Sequence, residues 1–194
     1  MGKVSLGRRF DEALQYAAKL HGNQRRKGSG TPYLAHLLGV SALVLEDGGS
    51  EDEAIAGLLH DAVEDQGGME TLEEIRQRFG EDVAAIVLGC SDAVSYPKPE
   101  WRGRKEEHLA SLAEASPGVR RVVLADKLYN ANSLLRDLTT EGANTWKKFK
   151  GGRDGTMWYY RTALEMLDDG SGGHLLEELK QVLERIESLI KKNG

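Results

Sequence analysis

Four ionisable side chains lie in the stretch "GLLHDAVEDQGG", residues 57–68, which otherwise has the pattern of a buried helix. They are His60, Asp61, Glu64 and Asp65. Charged side chains are rarely buried unless they are paired or bind a metal. On a helix, residues four apart share a face, so the four would form one patch two turns long. Taken alone, the patch fits a functional site and a solvated helix end equally well.

Two other apolar segments each contain a side chain that a hydrophobic core would not select. His36 stands alone in "PYLAHLLGV", where a single histidine is more often a satisfied core residue than a ligand. Asp126 follows an apolar run in "RVVLADKLYNA", and a buried carboxylate there needs a partner. Asn130 lies one turn beyond Asp126 on the same helix face. Three predicted helices therefore offer polar groups to a common interior.

The three segments together supply two imidazoles and two carboxylates, from His36, His60, Asp61 and Asp126. That donor set suits a borderline or harder divalent metal such as Mn, Fe, Co or Zn. Four protein ligands in six-coordinate geometry leave positions for water and substrate oxygens. A metal with open positions can polarise a phosphoryl oxygen and activate water. Glu64 and Asp65, one turn on, would then orient or deprotonate that water.

A basic loop, "RRKGSG" at residues 25–30, precedes His36. It clusters three cations beside flexible glycines, and a substrate with several phosphate charges needs such donors. The alternative is a solvated basic loop, and the glycines match no Walker or dinucleotide motif. Further cations occur in "WRGRKEE" and "KGGRDGT".

The remaining histidines and Tyr33 have plainer interpretations. His21 ends the first predicted helix, where a cation is favoured by the helix dipole. His108 and His174 have no acidic or histidine partner at metal-ligand spacing, which indicates structural roles. Tyr33 is as compatible with lining a pocket as with packing in the core.

Composition excludes several classes of protein. The 194 residues are 40% hydrophobic with a formal net charge of −5, which gives no electrostatic footprint for nucleic acid. A single cysteine, Cys90, cannot form an internal disulfide. The N-terminus has no apolar signal region, and no run approaches a membrane span. These features predict a soluble, cytoplasmic protein without a membrane partner.

Hydrophobic periodicity is helical almost throughout and predicts an all-α, single-domain bundle of roughly eight helices over residues 1–194. The core covers about residues 10–165, and a C-terminal helix at 174–192 packs on it. Ser50 and Thr71 each precede a glutamate by three residues, the signature of a capping box. The apolar stripe of the last helix favours packing within the chain over a homo-oligomer interface.

The pattern His…His-Asp…Asp resembles the HD phosphohydrolase superfamily. Its flanks, "RRKGSGTPYLAH", "LLHDAVED" and "LADKLYN", are similar to the hydrolase domain of the RelA/SpoT homologues. The chain is too short to hold their synthetase domain as well, so it most resembles the stand-alone small alarmone hydrolases. The likeness runs from about residue 10 to about residue 165 and implies the HD-domain fold for the helical bundle.

The resemblance implies a role for each motif residue. The implied metal ligands are His36, His60, Asp61 and Asp126, with Mn²⁺ as the expected ion and another divalent metal as the alternative. Glu64 and Asp65 match the catalytic acid pair. The implied substrate contacts are Arg26, Lys27, Lys105, Asn130 and Arg153. The implied reaction hydrolyses the 3′-diphosphate of guanosine tetra- or pentaphosphate to GDP or GTP and pyrophosphate.

Near Arg153 the chain departs from the family pattern, because Phe149 and Met157 stand where other aromatic neighbours are expected. This departure leaves the base and sugar open, and adenosine alarmones or the 2′-phosphate of NADPH are alternative substrates. A non-catalytic HD module that binds a nucleotide is an alternative of another class, although a pure binder would not need Glu64 and Asp65. A helical interaction protein is the plainest alternative.

Overall fold

The computed structural model of the chain describes residues 4–94, 97–168, 170 and 173–193. Within these ranges the chain forms ten α-helices and one 3-10 helix, with no strand, which confirms the predicted all-α fold class. The helices are α1 (Arg8–His21), α2 (Leu34–Glu46), α3 (Glu51–Leu59), α4 (Ala62–Gln66), α5 (Gly68–Phe79), α6 (Glu81–Cys90), α7 (Trp101–Leu112), α8 (Pro117–Glu141), the 3-10 helix (Gly142–Lys148), α9 (Gly152–Leu167) and α10 (His174–Asn193).

One predicted helix is interrupted at the "HD" dipeptide. The helix α3 ends at Leu59 and α4 begins at Ala62, with His60 and Asp61 between them. Asp61 has φ −95° and ψ −3°, which departs from regular helical geometry, and its carbonyl accepts from the Asp65 amide at the start of α4. The two candidate ligands therefore lie at a helix junction instead of on a continuous helical face.

The two predicted capping boxes have different outcomes. At α3 the prediction is confirmed, since the Ser50 hydroxyl accepts from the Glu53 amide and the Glu53 carboxylate accepts from the Ser50 amide. At α5 the prediction is wrong, because Thr71 lies inside the helix. Gly67 and Gly68 have φ values of +153° and +62°, so this glycine pair makes the turn and the helix starts three residues earlier.

The 25-residue helix α8 lies at the centre and packs against α2, α3, α6 and α10. Two glycines allow α2 to approach its neighbours closely. A Cβ at Gly39 would lie 2.1 Å from the ring of Tyr129 on α8. A Cβ at Gly57 of α3 would lie 3.1 Å from the Cα of Ser41 on α2. The three helices that carry or adjoin the candidate ligands therefore converge.

The C-terminal helix α10 packs along α8 with its apolar face. Its buried apolar side chains are Leu175, Leu176, Leu179, Val182, Leu183 and Ile186. One hydrophobic cluster extends from Ala13 of α1 to Ile186 of α10, so the apolar stripe is used within the chain. Among the described helices, none combines the length and apolar character needed to cross a bilayer.

Candidate active site

Four of the sequence-predicted side chains meet at the junction of α2, α3, α4 and α8. The His36 Nε2 atom lies 3.5 Å from Asp61 Oδ2 and 3.3 Å from Asp126 Oδ1. The His60 Nε2 atom lies 3.1 Å and 3.6 Å from the same two oxygens. One donor atom from each of His36, His60 and Asp126 lies within 4.8 Å of the other two. This buried cluster has the donor types and the spacing to hold one metal ion.

The His60 ring is held in one orientation by the backbone. Its Nδ1 atom lies 2.8 Å from the carbonyl oxygen of Gly57, which it can reach as a donor. Its Nε2 atom then faces the carboxylates, and it is buried without a hydrogen bond among the described residues. The Tyr33 hydroxyl donates to Asp61 Oδ2 at 2.6 Å. Such outer partners are typical of histidine and carboxylate ligands at metal sites.

Asp126 is held by two donors on its own helix. Asn130 donates to Oδ1 at 2.6 Å, and Lys127 donates to Oδ2 at 2.6 Å. Burial would raise the pKa of Asp126, but the adjacent Lys127 ammonium and the two histidines hold that pKa well below its ordinary value. The carboxylate is therefore ionised, as a metal ligand must be.

The acid pair on α4 lies beside this cluster. Lys98 Nζ lies 2.8 Å from Glu64 Oε1 and 3.3 Å from Asp65 Oδ1. Burial, followed by the negative charge of Asp92, raises the pKa of Glu64 to about 7. Glu64 can therefore accept or donate a proton near neutral pH. Gln24 contacts Asp65 from the other side, with its Nε2 atom 2.8 Å from Oδ2.

Asp92 is a site residue that sequence reasoning missed. Its side chain is 3% exposed and forms ion pairs with Arg104 and Lys105. Burial would raise the pKa of Asp92, but Lys105, Glu64 and Arg104 lower it overall. The sequence feature that could have indicated it is an aspartate just after the apolar segment of α6. The partners of that aspartate are on α7, so spacing within one helix could not reveal them.

A cavity of about 960 Å³ opens over the cluster and the acid pair. Ten Lys or Arg side chains and six Asp or Glu side chains line it, although the whole chain has a net charge of −5. The lining cations are Arg25, Arg26, Lys27, Lys98, Arg104, Lys105, Lys127, Arg136, Lys148 and Lys150. A cleft with such an excess of positive charge attracts a polyanionic ligand.

Four of the five predicted substrate contacts line this cavity: Arg26, Lys27, Lys105 and Asn130. The Arg26 guanidinium donates to Asn130 Oδ1 at 2.7 Å and lies 5.9 Å from the Tyr33 ring centre. Lys27 is exposed to solvent. The backbone amide of Arg26 donates to Thr31, and this bond closes the basic loop. The hydrogen bond from Arg26 to Asn130 places this loop against α8.

Arg153 is the exception, because the structure does not bring it to the cavity. It is exposed in the first turn of α9, and its guanidinium donates to the neighbouring Asp154 at 2.8 Å. Lys148 and Lys150, on the segment before α9, line the cavity instead. The role of Arg153 therefore stays a prediction from the sequence that the cavity lining does not support, since α9 begins at Gly152 and leaves this side chain exposed.

His21 differs from its interpretation, and the positions of His108 and Tyr33 are also defined. His21 is 1% exposed, and burial lowers its pKa, so the prediction of a helix-terminal cation is wrong. Its Nδ1 atom lies 2.7 Å from Gln24 Oε1. His108 lies on the cavity wall, where burial and then the Lys127 charge lower its pKa to about 4. Tyr33 lines the cavity, the first of the two alternatives given for it.

An HD-domain family model matches residues 13–157, a range that includes the whole buried cluster. The chain belongs to the HD-domain family. Its all-α bundle is therefore an HD-domain fold, as the motif resemblance implied. The HD domain implies a divalent metal, and the residues present fit one. The buried Nε2 atom of His60 has no hydrogen bond among the described residues and lies 3.1 Å and 3.6 Å from the carboxylates of Asp61 and Asp126, and His36 completes the donor set.

Known relatives match nearly the whole HD-domain chain. The guanosine-3′,5′-bis(diphosphate) 3′-pyrophosphohydrolase MESH1 of Mus musculus is 36% identical over 89% of this chain and 92% of its own. The Homo sapiens protein of the same name is 34% identical over 94% of this chain and 93% of its own. A solved structure described as a metazoan ortholog of SpoT that hydrolyzes ppGpp has a TM-score of 0.75 at 29% identity. The match covers 95% of this chain and 98% of that structure's chain.

Proposed function

We propose that this protein hydrolyses the 3′-diphosphate of guanosine tetra- or pentaphosphate, giving GDP or GTP and pyrophosphate, with Mn²⁺ as its metal. The observation that carries the proposal is the juxtaposition of a buried His/Asp cluster and an acid pair beneath a cavity lined by ten cations. The similarity to MESH1 along nearly the whole chain supports the choice of substrate.

The chemistry divides between a metal and this chain's own acids. Mn²⁺ held by His36, His60, Asp61 and Asp126 would supply Lewis acidity at a phosphoryl oxygen. Glu64 takes a proton from the water that adds to the phosphorus attached to the ribose 3′-oxygen. The bond from that phosphorus to the 3′-oxygen breaks, the oxygen takes up a proton, and pyrophosphate is released. Asp65 orients the water through its carboxylate.

The substrate's charged ends are assigned to the cationic lining. Arg26 and Lys27 bind phosphate oxygens from the basic loop, and Lys105 does so from α7. Asn130 faces the base and ribose, and its contact with Arg26 fixes the direction of its amide oxygen. Arg153 has no part in this assignment.

We also propose that residues 1–194 form one hydrolase domain and that the protein is cytoplasmic. The hydrophobic cluster that runs through the described residues from α1 to α10 supports the first proposal. The second agrees with the sequence, whose single cysteine cannot form an internal disulfide. A homo-oligomer is the alternative to a monomer. Light scattering after size-exclusion chromatography distinguishes the two.

The test is a product assay with added Mn²⁺ on ppGpp, ppApp and NADPH. We expect pyrophosphate and GDP from ppGpp, at a kcat/KM well above the values for the other two. Faster turnover of ppApp, or release of orthophosphate from NADPH, would reassign the substrate. Nucleotide binding by calorimetry without any product would indicate a non-catalytic module.

A matched pair of histidine variants tests the metal assignment. His60→Ala removes a buried nitrogen ligand of the proposed metal site and should abolish both Mn²⁺ binding and turnover. His174→Ala alters an exposed histidine that pairs with Glu178 on α10, and it should retain both. A His60→Ala protein with the wild-type rate in metal-depleted buffer would contradict the scheme.

A further inference from the structure

The Asp65 carboxylate is contacted from two sides. Gln24 Nε2 lies 2.8 Å from Oδ2, and Lys98 Nζ lies 3.3 Å from Oδ1. A glutamine amide has a donor end and an acceptor end, whereas an ionised carboxylate can only accept. The donor end of Gln24 must therefore face Asp65, and its oxygen must face the opposite way.

The oxygen of Gln24 is occupied by two donors. Gln66 Nε2 donates to it at 2.6 Å, and His21 Nδ1 lies 2.7 Å from it. Burial lowers the pKa of His21, so its ring is neutral and carries one N–H. The His21 Nε2 atom is buried without a hydrogen bond among the described residues, so the proton belongs on Nδ1, where it has an acceptor. A flipped Gln24 amide would set oxygen against Asp65 and N–H groups against two donors.

The network is attached to rigid parts of the fold. His21 is 1% exposed at the end of α1, and its ring stacks on Tyr33 with centres 5.5 Å apart and planes at 20°. Tyr33 in turn donates to Asp61. The amide oxygen of Gln24 is therefore held by the buried ring of His21 and by the half-buried Gln66. Its donor end reaches the acid pair from the residue before the basic loop.

We propose that Gln24 is a positioning residue for Asp65: its amide, locked by His21 and Gln66, sets the direction in which the Asp65 carboxylate faces the cavity. This inference rests on the proposed function, in which Asp65 orients the attacking water. Gln24 touches Asp65 and neither the metal cluster nor, in this scheme, the reacting atoms.

Two substitutions of Gln24 separate loss of the donor from gain of a repulsive charge. Gln24→Met keeps the length but removes the N–H, and kcat for ppGpp should fall roughly tenfold. KM and Mn²⁺ affinity should change little, whereas Tm should fall by several degrees, because the buried His21 N–H and the Gln66 amide lose their acceptor. Gln24→Glu sets a carboxylate against Asp65, and kcat should fall roughly a hundredfold. Gln77→Met is the matched control, because that amide donates to Glu73 on the exposed face of α5 and its loss should leave kcat unchanged.

A double-mutant cycle with Asp65→Asn decides whether Gln24 acts through Asp65. In the Asp65→Asn background, Gln24→Met should change kcat by less than about twofold, because the partner's role is already lost. Losses in kcat that multiply in the double variant, or a kcat loss that follows a loss of Mn²⁺ affinity, would overturn the inference. If the wild type is active and Gln24→Met has the same kcat, the positioning role of Gln24 is overturned and the proposed function stands. A wild type that releases no pyrophosphate would overturn the proposed function as well.

Discussion

Two acids on one short helix, Glu64 and Asp65, are given different properties by their neighbours. Glu64 is shielded from solvent beside Asp92, which raises its pKa to about 7. Lys98 donates to both carboxylates, but Asp65 also accepts a hydrogen bond from Gln24. Environments that differ between adjacent carboxyl groups are a common basis for separate acid, base and orienting roles. We therefore assign proton transfer to Glu64 and orientation to Asp65.

Glu64→Gln tests this division. The variant keeps the shape but cannot exchange a proton, so kcat for ppGpp should fall by roughly 10²- to 10⁴-fold. Mn²⁺ affinity, measured by calorimetry, should be retained because Glu64 is outside the ligand cluster. Glu70→Gln, on the exposed face of α5, is the control and should match the wild type. A Glu64→Gln protein with wild-type kcat would contradict the assignment.

His108 should make stability depend on pH. Its folded pKa, about 4, lies below the ordinary value of 6.5 because burial and Lys127 disfavour the charged ring. The unfolded chain therefore binds the proton first, and the stabilisation is complete above about pH 6.5 and lost as pH falls towards 4. His108→Gln should reduce the loss of unfolding free energy between pH 7 and pH 5 by about 2 kcal/mol.

Urea denaturation of both proteins at pH 7 and pH 5 measures this difference. His174→Gln alters an exposed histidine and should keep the wild-type pH dependence. An equal loss of stability in His108→Gln and the wild type would show that His108 titrates normally.

At the scale of elements, the site depends on how closely three helices approach one another. Gly39 lets α2 lie against the Tyr129 ring of α8, and the same ring packs edge-on against His36 with centres 4.9 Å apart. Gly57 lets α3 lie against α2 next to Ser41. Larger side chains at these positions would separate the helices that carry His36, His60 and Asp126.

Gly39→Ala should therefore destabilise the protein. Its new methyl group would meet a ring instead of open space, and overpacking of this kind costs about 1–3 kcal/mol. The control is Gly103→Ala on α7, where the nearest atom would lie 4.0 Å away. That variant should be neutral or stabilised by up to about 1 kcal/mol. Equal unfolding free energies for the two variants in urea would contradict the close approach.

At the scale of the whole molecule, the reactive cavity and the C-terminal part of the core are separate. Cationic side chains concentrate at the cavity while the chain as a whole is acidic. None of the described cavity-lining residues belongs to α10, which packs against α8 and α9. Stability and activity should therefore respond differently to changes in α10.

Leu179→Ala tests this separation, since Leu179 is fully buried between α10 and the core. The lost contacts and the new cavity should cost about 2–5 kcal/mol of unfolding free energy. At a temperature where the variant stays folded, kcat for ppGpp should equal the wild-type value. Leu38→Ala is the control, because Leu38 is 44% exposed and its loss should cost less than about 0.5 kcal/mol. A large kcat loss in folded Leu179→Ala would contradict the separation.

Local pattern alone was sufficient for the helical class and for the ligand candidates. Apolar periodicity shows which face of a helix is buried, so a histidine or aspartate on that face stands out within a few residues of sequence. His36, His60, Asp61 and Asp126 were selected in this way, and the structure brings them together. Their metal-binding role and the catalytic roles of Glu64 and Asp65 stay predictions.

The tertiary structure alone determined which loops and side chains complete the site. Asp92, Lys98 and Gln24 lie outside the helices. Their partners Arg104, Glu64 and Asp65 are 12, 34 and 41 residues away in the sequence, which no helical period encodes. The exclusion of Arg153 and the break at His60 also depended on packing. Spacing within a helix is set by covalent geometry, whereas contacts between segments depend on the collapse of the whole chain around one core.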